Sequence, residues 1–245
     1  MSAPRRIGLA VIAALGCSLV PRGAAAQQSD TTVWYALLHH DERRPDYARQ
    51  ETTREAIPLP PPPPGEPPAA VRGLYLNAYV FGSNRFYDIL RLVDSTEINT
   101  FVIDVKDDTG YLTYPSAIPT AIEIGANGKI RARDLHQRLA LLKEKGIHPV
   151  ARIVVAKDPL LAHGKTNWAV RDRRGGLWHD RINTAWVDAY QDSVWIYAAD
   201  LAAEAVLQGF AEVQFDYLRF PDEPREVLDY AIFSGKRAGE RPHQA

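Results

Sequence analysis

The chain has 245 residues, of which 46% are hydrophobic and 24% charged, and its formal net charge at pH 7 is -1. This balance is sufficient for a buried core and provides no excess positive charge for a polyanion, so we expect no nucleic-acid partner. The single cysteine, Cys17, excludes an intramolecular disulfide and a thiolate metal cluster within the chain.

Residues 1–26 have the pattern of a secretory signal peptide. Arg5 and Arg6 give a positively charged start, an apolar run follows, and three alanines end the segment at Ala26. The apolar run is shorter than the roughly 20 residues that a membrane-spanning helix needs, so we expect no integral span after cleavage. The sequence therefore predicts export to the periplasm, the cell envelope or the extracellular space.

Two segments without a predicted core follow the signal peptide. Residues 27–56 are polar and charged, with few regularly spaced apolar residues, and we expect them to be disordered. Residues 57–70 are rich in proline, which fixes φ and lacks an amide donor, so they predict a stiff linker of polyproline II type. The predicted folded domain therefore comprises residues 71–245.

From residue 71 onward, short β-branched runs alternate with longer stretches that carry apolar residues at helical spacing. The predicted strands are residues 71–78, 99–106, 147–155 and 212–219. The predicted helices between them are residues 85–96, 132–145 and 187–207. Gly146 and Gly209 each stand at the end of a predicted helix, where a left-handed residue is favoured before the next strand. This alternation is typical of an α/β fold with a parallel sheet.

The character of the loops favours one parallel architecture. Residues 107–131 and 156–184, which follow the second and third strands, are long and polar, whereas the connections into the strands are short. This asymmetry is typical of a (β/α)8-type barrel, and no G-x-G-x-x-G or Walker pattern indicates a nucleotide-binding sheet. A full barrel takes about 250 residues, so we expect only its N-terminal half here, through truncation or as a half-barrel that dimerises.

The candidate catalytic residues are two aspartates that interrupt apolar strands. Asp104 and Asp216 lie near the ends of the second and fourth strands, where the functional groups of a barrel meet. A buried carboxylate needs either a partner or a function, because its desolvation is costly. The structural alternative is an acid paired with Arg152 or Lys106. If Asp216 acts as one of two carboxyl groups, Asp104 or Asp222 could be the other.

Acidic, cationic and aromatic residues occur together at the carboxyl ends of the predicted strands, which would form the mouth of the barrel. Sugar rings pack their C–H faces on aromatic side chains and exchange hydrogen bonds with acids and arginines, so this mixture favours a carbohydrate groove. We expect neither a metal nor a cofactor. The candidate substrate-binding residues are Tyr79, Lys106, Asp107, Arg152, Asp158, Tyr217 and Arg219.

Four strand-end sequences together resemble a bacterial family described as "putative glycosyl hydrolase domain". These are VRGLYL from residue 71, NTFVIDVKD from residue 99, VARIVVAKDP from residue 150 and FDYLRFP from residue 215. The resemblance implies a barrel of the α-amylase type and a carboxylate nucleophile at the fourth strand, which corresponds to Asp216. In such enzymes the acid partner comes from a fifth strand, and this sequence departs from the pattern by ending before one.

The sequence therefore predicts an exported glycoside hydrolase that acts on a polysaccharide or oligosaccharide. One alternative is a non-catalytic glycan-binding or envelope-associated module that keeps the aromatic groove. Another is an inactive, truncated remnant of a hydrolase, whose exposed sheet edges would promote aggregation.

Overall fold

The computed structural model describes residues 67–241. The predicted signal peptide, the polar segment 27–56 and most of the proline-rich linker lie outside the described residues. Four strands, each close to a predicted one, form a single sheet in which neighbouring strands run parallel in the order β1-β2-β3-β4. They are β1 (Gly73–Leu76), β2 (Thr100–Lys106), β3 (His148–Val154) and β4 (Glu212–Asp216).

Helices connect successive strands, as the sequence pattern predicts. The predicted α/β fold is confirmed, and four parallel strands in sequential order with helical crossovers are the arrangement of half of a (β/α)8 barrel. The helices are α1 (Ala78–Phe81), α2 (Arg85–Val93), α3 (Pro119–Glu123), α4 (Leu135–Glu144), α5 (Pro159–Gly164), α6 (Asp192–Gln208) and α7 (Arg225–Leu228), with 3-10 turns at Ala126–Lys129 and Thr166–Trp168.

The two faces of the sheet differ in burial, because successive side chains of a strand point to opposite faces. On the face covered by helices, Phe101, Ile103 and Ile153 are fully buried. They belong to one hydrophobic cluster that includes Phe86 of α2 and Leu142 of α4. The other face carries the polar residues of the strands, and the candidate site lies there.

Two strands end earlier than predicted, for local reasons. β1 stops at Leu76 because the Asn77 side chain accepts a hydrogen bond of 2.9 Å from the Val80 amide and so caps α1. β4 stops at Asp216 because Tyr217 adopts a left-handed conformation with φ of 53°. The chain therefore enters helix α1 directly after β1 and a loop after β4, at the end of the sheet where functional groups are expected.

A register irregularity ends β2. The pairing with β3 places Asp104 opposite Arg152, and then skips a residue so that Lys106 lies opposite Ile153. A bulge of this kind re-aims the side chains that follow it. Lys106 is 1% exposed and points into the protein, whereas Asp104 remains on the polar face.

The tail after β4 contains the short helix α7 at Arg225–Leu228. Among the described residues, no helix is long and apolar enough to cross a membrane.

Candidate active site

A single arginine links the two candidate aspartates. Arg152 projects from β3, between the strands that carry Asp104 and Asp216. Its Nη1 atom lies 2.6 Å from Oδ1 of Asp104, and its Nε and Nη2 atoms lie 2.7 and 2.6 Å from Oδ2 of Asp216. The guanidinium therefore binds both carboxyl groups at once through charge-assisted hydrogen bonds. We call Asp104 and Asp216 the carboxylate pair, and Arg152 is the arginine that bridges them.

The first strand contributes a tyrosine to this group. The Tyr75 hydroxyl donates a hydrogen bond of 2.6 Å to Oδ2 of Asp104. Its ring centroid lies 5.3 Å from the Arg152 guanidinium carbon, and the residue is 56% exposed. Each of the four strands thus supplies one side chain to the same polar cluster. Burial and the neighbouring Asp104 carboxylate both raise the pKa of the Tyr75 hydroxyl, so it remains a hydrogen-bond donor at neutral pH.

The two carboxyl groups differ in exposure and in the direction in which their pKa values are shifted. Burial raises the pKa of Asp104, which is 2% exposed, and the hydrogen bonds from Tyr75 and Arg152 offset only part of that rise. Burial also acts on Asp216, but the Tyr217 amide and Arg152 outweigh it and lower the pKa of this carboxyl. The side chain of Asp216 is 37% exposed, so its ionised form can meet a ligand.

An ionised carboxylate beside a carboxyl group of raised pKa can perform acid–base and nucleophilic chemistry on one substrate. Asp216 is held in one orientation, because Oδ1 accepts the Tyr217 amide at 2.6 Å while Oδ2 accepts Arg152. Asp104 has both oxygens hydrogen-bonded. The geometry gives Asp216 the more accessible and more acidic position.

Lys106 and Asp158 lie away from this polar face. Lys106 Nζ is 2.6 Å from Oδ2 of Asp158, and the two side chains are 1% and 0% exposed. Oδ1 of Asp158 accepts the Leu161 amide at 2.8 Å and caps α5. A Cβ atom on Gly110 would lie 3.2 Å from the Asp158 carboxyl carbon, so the loop after β2 packs directly on this ion pair. Both residues therefore hold the loops of the site together.

The remaining candidate residues occupy two borders of the carboxylate pair. Tyr79 and Asp107 lie on the side of β1 and β2, where they line one pocket. Tyr217 and Arg219 lie on the side of β4, with the Arg219 guanidinium carbon 5.0 Å from the Tyr217 ring centroid. The positive charge of Arg219 also helps to lower the pKa of Asp216.

The sequence pattern does not reveal all the contacts of the site. It places Tyr75 among the aromatic residues near the carboxyl ends of the strands, but nothing in the local sequence indicates the hydrogen bond to Asp104. Lys129 and Arg131 line the same pocket as Tyr79 but lie in a polar loop far along the chain. The indole of Trp186 lies 6.1 Å from the Tyr217 ring, and it also comes from a long loop. Only the folded loops show that these residues meet.

In the part of the chain that the structure describes, no group of three or more histidine, cysteine, aspartate or glutamate side chains is placed to hold a metal ion.

Comparisons with known proteins give one family and several solved structures. A family model described as "Putative glycosyl hydrolase domain" matches residues 73–243. The crystal structure of a hypothetical protein from Ruminiclostridium thermocellum is 38% identical, with a TM-score of 0.63, and the match covers 70% of this chain and 85% of that one. No curated protein matches the chain.

Two enzymes of known structure are more distant. The chitobiase of Flavobacterium johnsoniae is 18% identical with a TM-score of 0.42, over 59% of this chain and 23% of that one. A maltogenic α-amylase from Thermotoga neapolitana is 14% identical with a TM-score of 0.42, over 59% of this chain and 38% of that one. The chain thus spans less than half the length of either enzyme.

Proposed function

Since the chain belongs to the family described as "Putative glycosyl hydrolase domain", we propose that it is an exported glycoside hydrolase in which Asp216 is the nucleophile and Asp104 the acid. The observation that carries the proposal is the bridge from Arg152 to both carboxyl groups. The bridge lies towards the carboxyl ends of parallel strands, where barrel enzymes carry their catalytic groups.

The proposed reaction has two steps. In the first, a carboxylate oxygen of Asp216 forms a bond to the anomeric carbon as the glycosidic C–O bond breaks, and Asp104 gives its proton to the leaving oxygen. In the second, water attacks the anomeric carbon, gives a proton back to Asp104 and releases Asp216. Arg152 is a positioning residue that keeps Asp216 ionised and oriented.

The assignment of Asp216 as the nucleophile implies retention of configuration, because two successive displacements at the anomeric carbon invert it twice. We therefore propose a covalent glycosyl intermediate on Asp216.

The surrounding residues suit a sugar chain. Tyr79 follows β1 and Tyr217 follows β4, and both offer aromatic ring surface, while Asp107 and Arg219 offer hydrogen-bonding groups. These four residues are the proposed substrate contacts. Lys106 and Asp158 are assigned to support of the loops instead, because both are buried.

The pH dependence of hydrolysis tests both assignments, with wild-type protein assayed for new reducing ends on a panel of polysaccharides. Asp216 must be ionised, and its pKa is lowered from 3.8, so the rate should rise with pH on the acid side below that value. Asp104 must be protonated, and its pKa is raised from 3.8, so the rate should fall at higher pH as this group loses its proton. A panel with no hydrolysed member would contradict the proposal.

The variant Tyr75→Phe tests whether Asp104 is the group whose ionisation lowers the rate at high pH, which is the alkaline limb of the pH–rate profile. The Tyr75 hydrogen bond lowers the pKa of Asp104, so its removal should shift that limb to higher pH. Tyr230→Phe, at an exposed tyrosine outside the site, is the matched control and should leave the profile unchanged. An alkaline limb that does not move in Tyr75→Phe would remove Asp104 from the role of acid.

Export is proposed from the first 26 residues. Mass spectrometry of the protein recovered outside the cytoplasm should give an N-terminus at Gln27. An intact Met1 in exported material would contradict the cleavage.

A non-catalytic glycan-binding module is the second candidate. The observation in its favour is that both oxygens of Asp104 are already hydrogen-bonded, as in a structural network. Such a module would bind cell-wall or capsular polysaccharide without releasing new reducing ends.

A further inference from the structure

A small pocket with two cations lies beyond the carboxyl ends of β1 and β2. It has a volume of about 40 Å³ and opens where the chain leaves β1 and β2. We call it the Lys129–Arg131 pocket. Its lining residues are Ala78, Tyr79, Asp107, Thr109, Tyr111, Leu112, Lys129 and Arg131.

Each cation of the pocket lies over a tyrosine ring. Lys129 Nζ is 4.2 Å from the ring centroid of Tyr111, and the Arg131 guanidinium carbon is 4.1 Å from that of Tyr79. A cation–π contact uses the charge without satisfying the N–H donors of the group. Within residues 67–241 neither cation forms an ion pair with a carboxylate. Both therefore keep donors for a ligand.

Asp107 is the one acidic residue that lines the pocket, and one of its carboxylate oxygens already accepts hydrogen bonds. Oδ1 of Asp107 accepts the Thr109 amide at 2.9 Å and also the Thr109 hydroxyl. Two cations and one carboxylate leave the pocket with one net positive charge. A concave site with excess positive charge concentrates anions.

The backbone holds Arg131 in place. The Arg131 and Ala132 amides donate to the Thr113 carbonyl at 2.9 and 2.8 Å. A Cβ atom on Gly82 would lie 2.6 Å from the Arg131 carbonyl carbon, so the end of α1 packs directly on this backbone. The Arg131 backbone is therefore ordered before a ligand binds, which reduces the entropic cost of binding.

The pocket is near the reacting groups. Asp107 lines it and also acts electrostatically on Asp104, whose pKa it helps to raise. A buried water needs about 10–15 Å³ by a comparable measure, so the volume suits a group of a few heavy atoms rather than a sugar ring. Such a group would be a substituent of a sugar that lies over the carboxylate pair.

We propose that the glycan acted on at Asp216 carries an acidic substituent, a carboxylate or a sulfate, that binds Lys129 and Arg131 in this pocket. The proposal rests on the proposed function, because it assumes that the ligand is a sugar chain. The planar fork of Arg131 suits a bidentate contact with an oxyanion, and Lys129 adds a second donor.

Calorimetric titration tests the substrate class with three oligosaccharides of equal length, namely oligogalacturonate, a sulfated galactan fragment and a neutral maltooligosaccharide. One of the two acidic ligands should bind at least about ten-fold more tightly than the neutral one, and the preference should weaken as salt is added. Which acidic ligand binds better distinguishes carboxylate from sulfate. Equal binding of all three, or no binding, would overturn the proposal.

Charge-removing variants test the site itself. Arg131→Gln and Lys129→Gln should each lose about ten-fold in affinity for the acidic ligand and little for the neutral one. The matched controls are Arg133→Gln, two residues away and exposed, and Lys143→Gln on α4, also exposed. An equal loss in the controls would mean that the preference comes from overall charge rather than from the pocket.

Hydrolysis of the same oligosaccharides separates this proposal from the proposed function. Binding that depends on Arg131 without new reducing ends would support the pocket and contradict the hydrolase. Hydrolysis of neutral and acidic ligands alike, unchanged in Arg131→Gln, would support the hydrolase and contradict the pocket.

Discussion

Replacing Asp216 with asparagine is expected to lower glycan hydrolysis by at least about 10³-fold, since the amide keeps the shape of the side chain but is a far weaker nucleophile. The rate of reducing-end release on the best substrate of the panel measures the effect. The matched control is Asp229→Asn, which makes the same substitution at an exposed aspartate of the tail. Its rate should stay within about two-fold of the wild-type rate, because ordinary surface substitutions have small effects.

A nucleophile can be distinguished from a structural acid at this position. Asp216→Gly opens space beside the anomeric carbon, and added formate or azide should restore part of the rate if Asp216 forms the covalent bond. Thermal unfolding of Asp216→Asn should show a modest loss of stability, because Arg152 keeps its contact with Asp104. Equal hydrolysis by Asp216→Asn and wild type would remove Asp216 from the mechanism.

Asp222 is the alternative acid that the sequence alone left open. Its side chain is 93% exposed and lies 3.9 Å from Arg219, with no described contact to the carboxylate pair. Asp104 is preferred because it shares Arg152 with Asp216. The shift of the alkaline limb in Tyr75→Phe decides between them, since Tyr75 contacts Asp104.

The four parallel strands and the choice of candidate aspartates follow from simple sequence rules. Short apolar runs between helical stretches give parallel strands, and an acid within such a run needs a partner or a function. Both rules indicate Asp104 and Asp216 and leave Arg152 or Lys106 as the partner, and the structure places Arg152 against both acids. The predicted carboxyl ends of β1 and β4 lie too far along the chain. The capping side chain of Asn77 ends β1, and the left-handed conformation of Tyr217 ends β4.

The residues that sequence reasoning placed differently depend on irregular structure. Lys106 has the spacing of a residue on the same face as Asp104, and only the register shift turns it inward. Lys129 and Arg131 reach the site because a long loop folds back over β2, with the Leu112 amide donating to the Ala126 carbonyl at 2.9 Å. Loop closure of this kind has no periodic signal in the sequence.

The buried ion pair is the structural support of the site, and this explains why two polar residues stand where a core would favour apolar ones. Lys106 ends β2, and Asp158 begins α5 after β3, so their contact fixes the loops of neighbouring strands to each other. The Lys157–Asp108 pair, at 2.7 Å, joins the same two loops at the surface. Rigid loops keep catalytic groups within the narrow tolerance that chemistry needs.

Lys106→Met is therefore expected to cost about 3–5 kcal/mol of unfolding free energy, because it leaves the Asp158 carboxylate buried without its partner. The double variant Lys106→Met/Asp158→Asn should recover part of that loss, since asparagine removes the charge and can still cap α5 through the Leu161 amide. Urea unfolding measures each value. The matched control, Lys165→Met, breaks the partly exposed pair with Glu123 and should cost less than about 1 kcal/mol. A loss in Lys106→Met no larger than in Lys165→Met would show that the loops are held by packing alone.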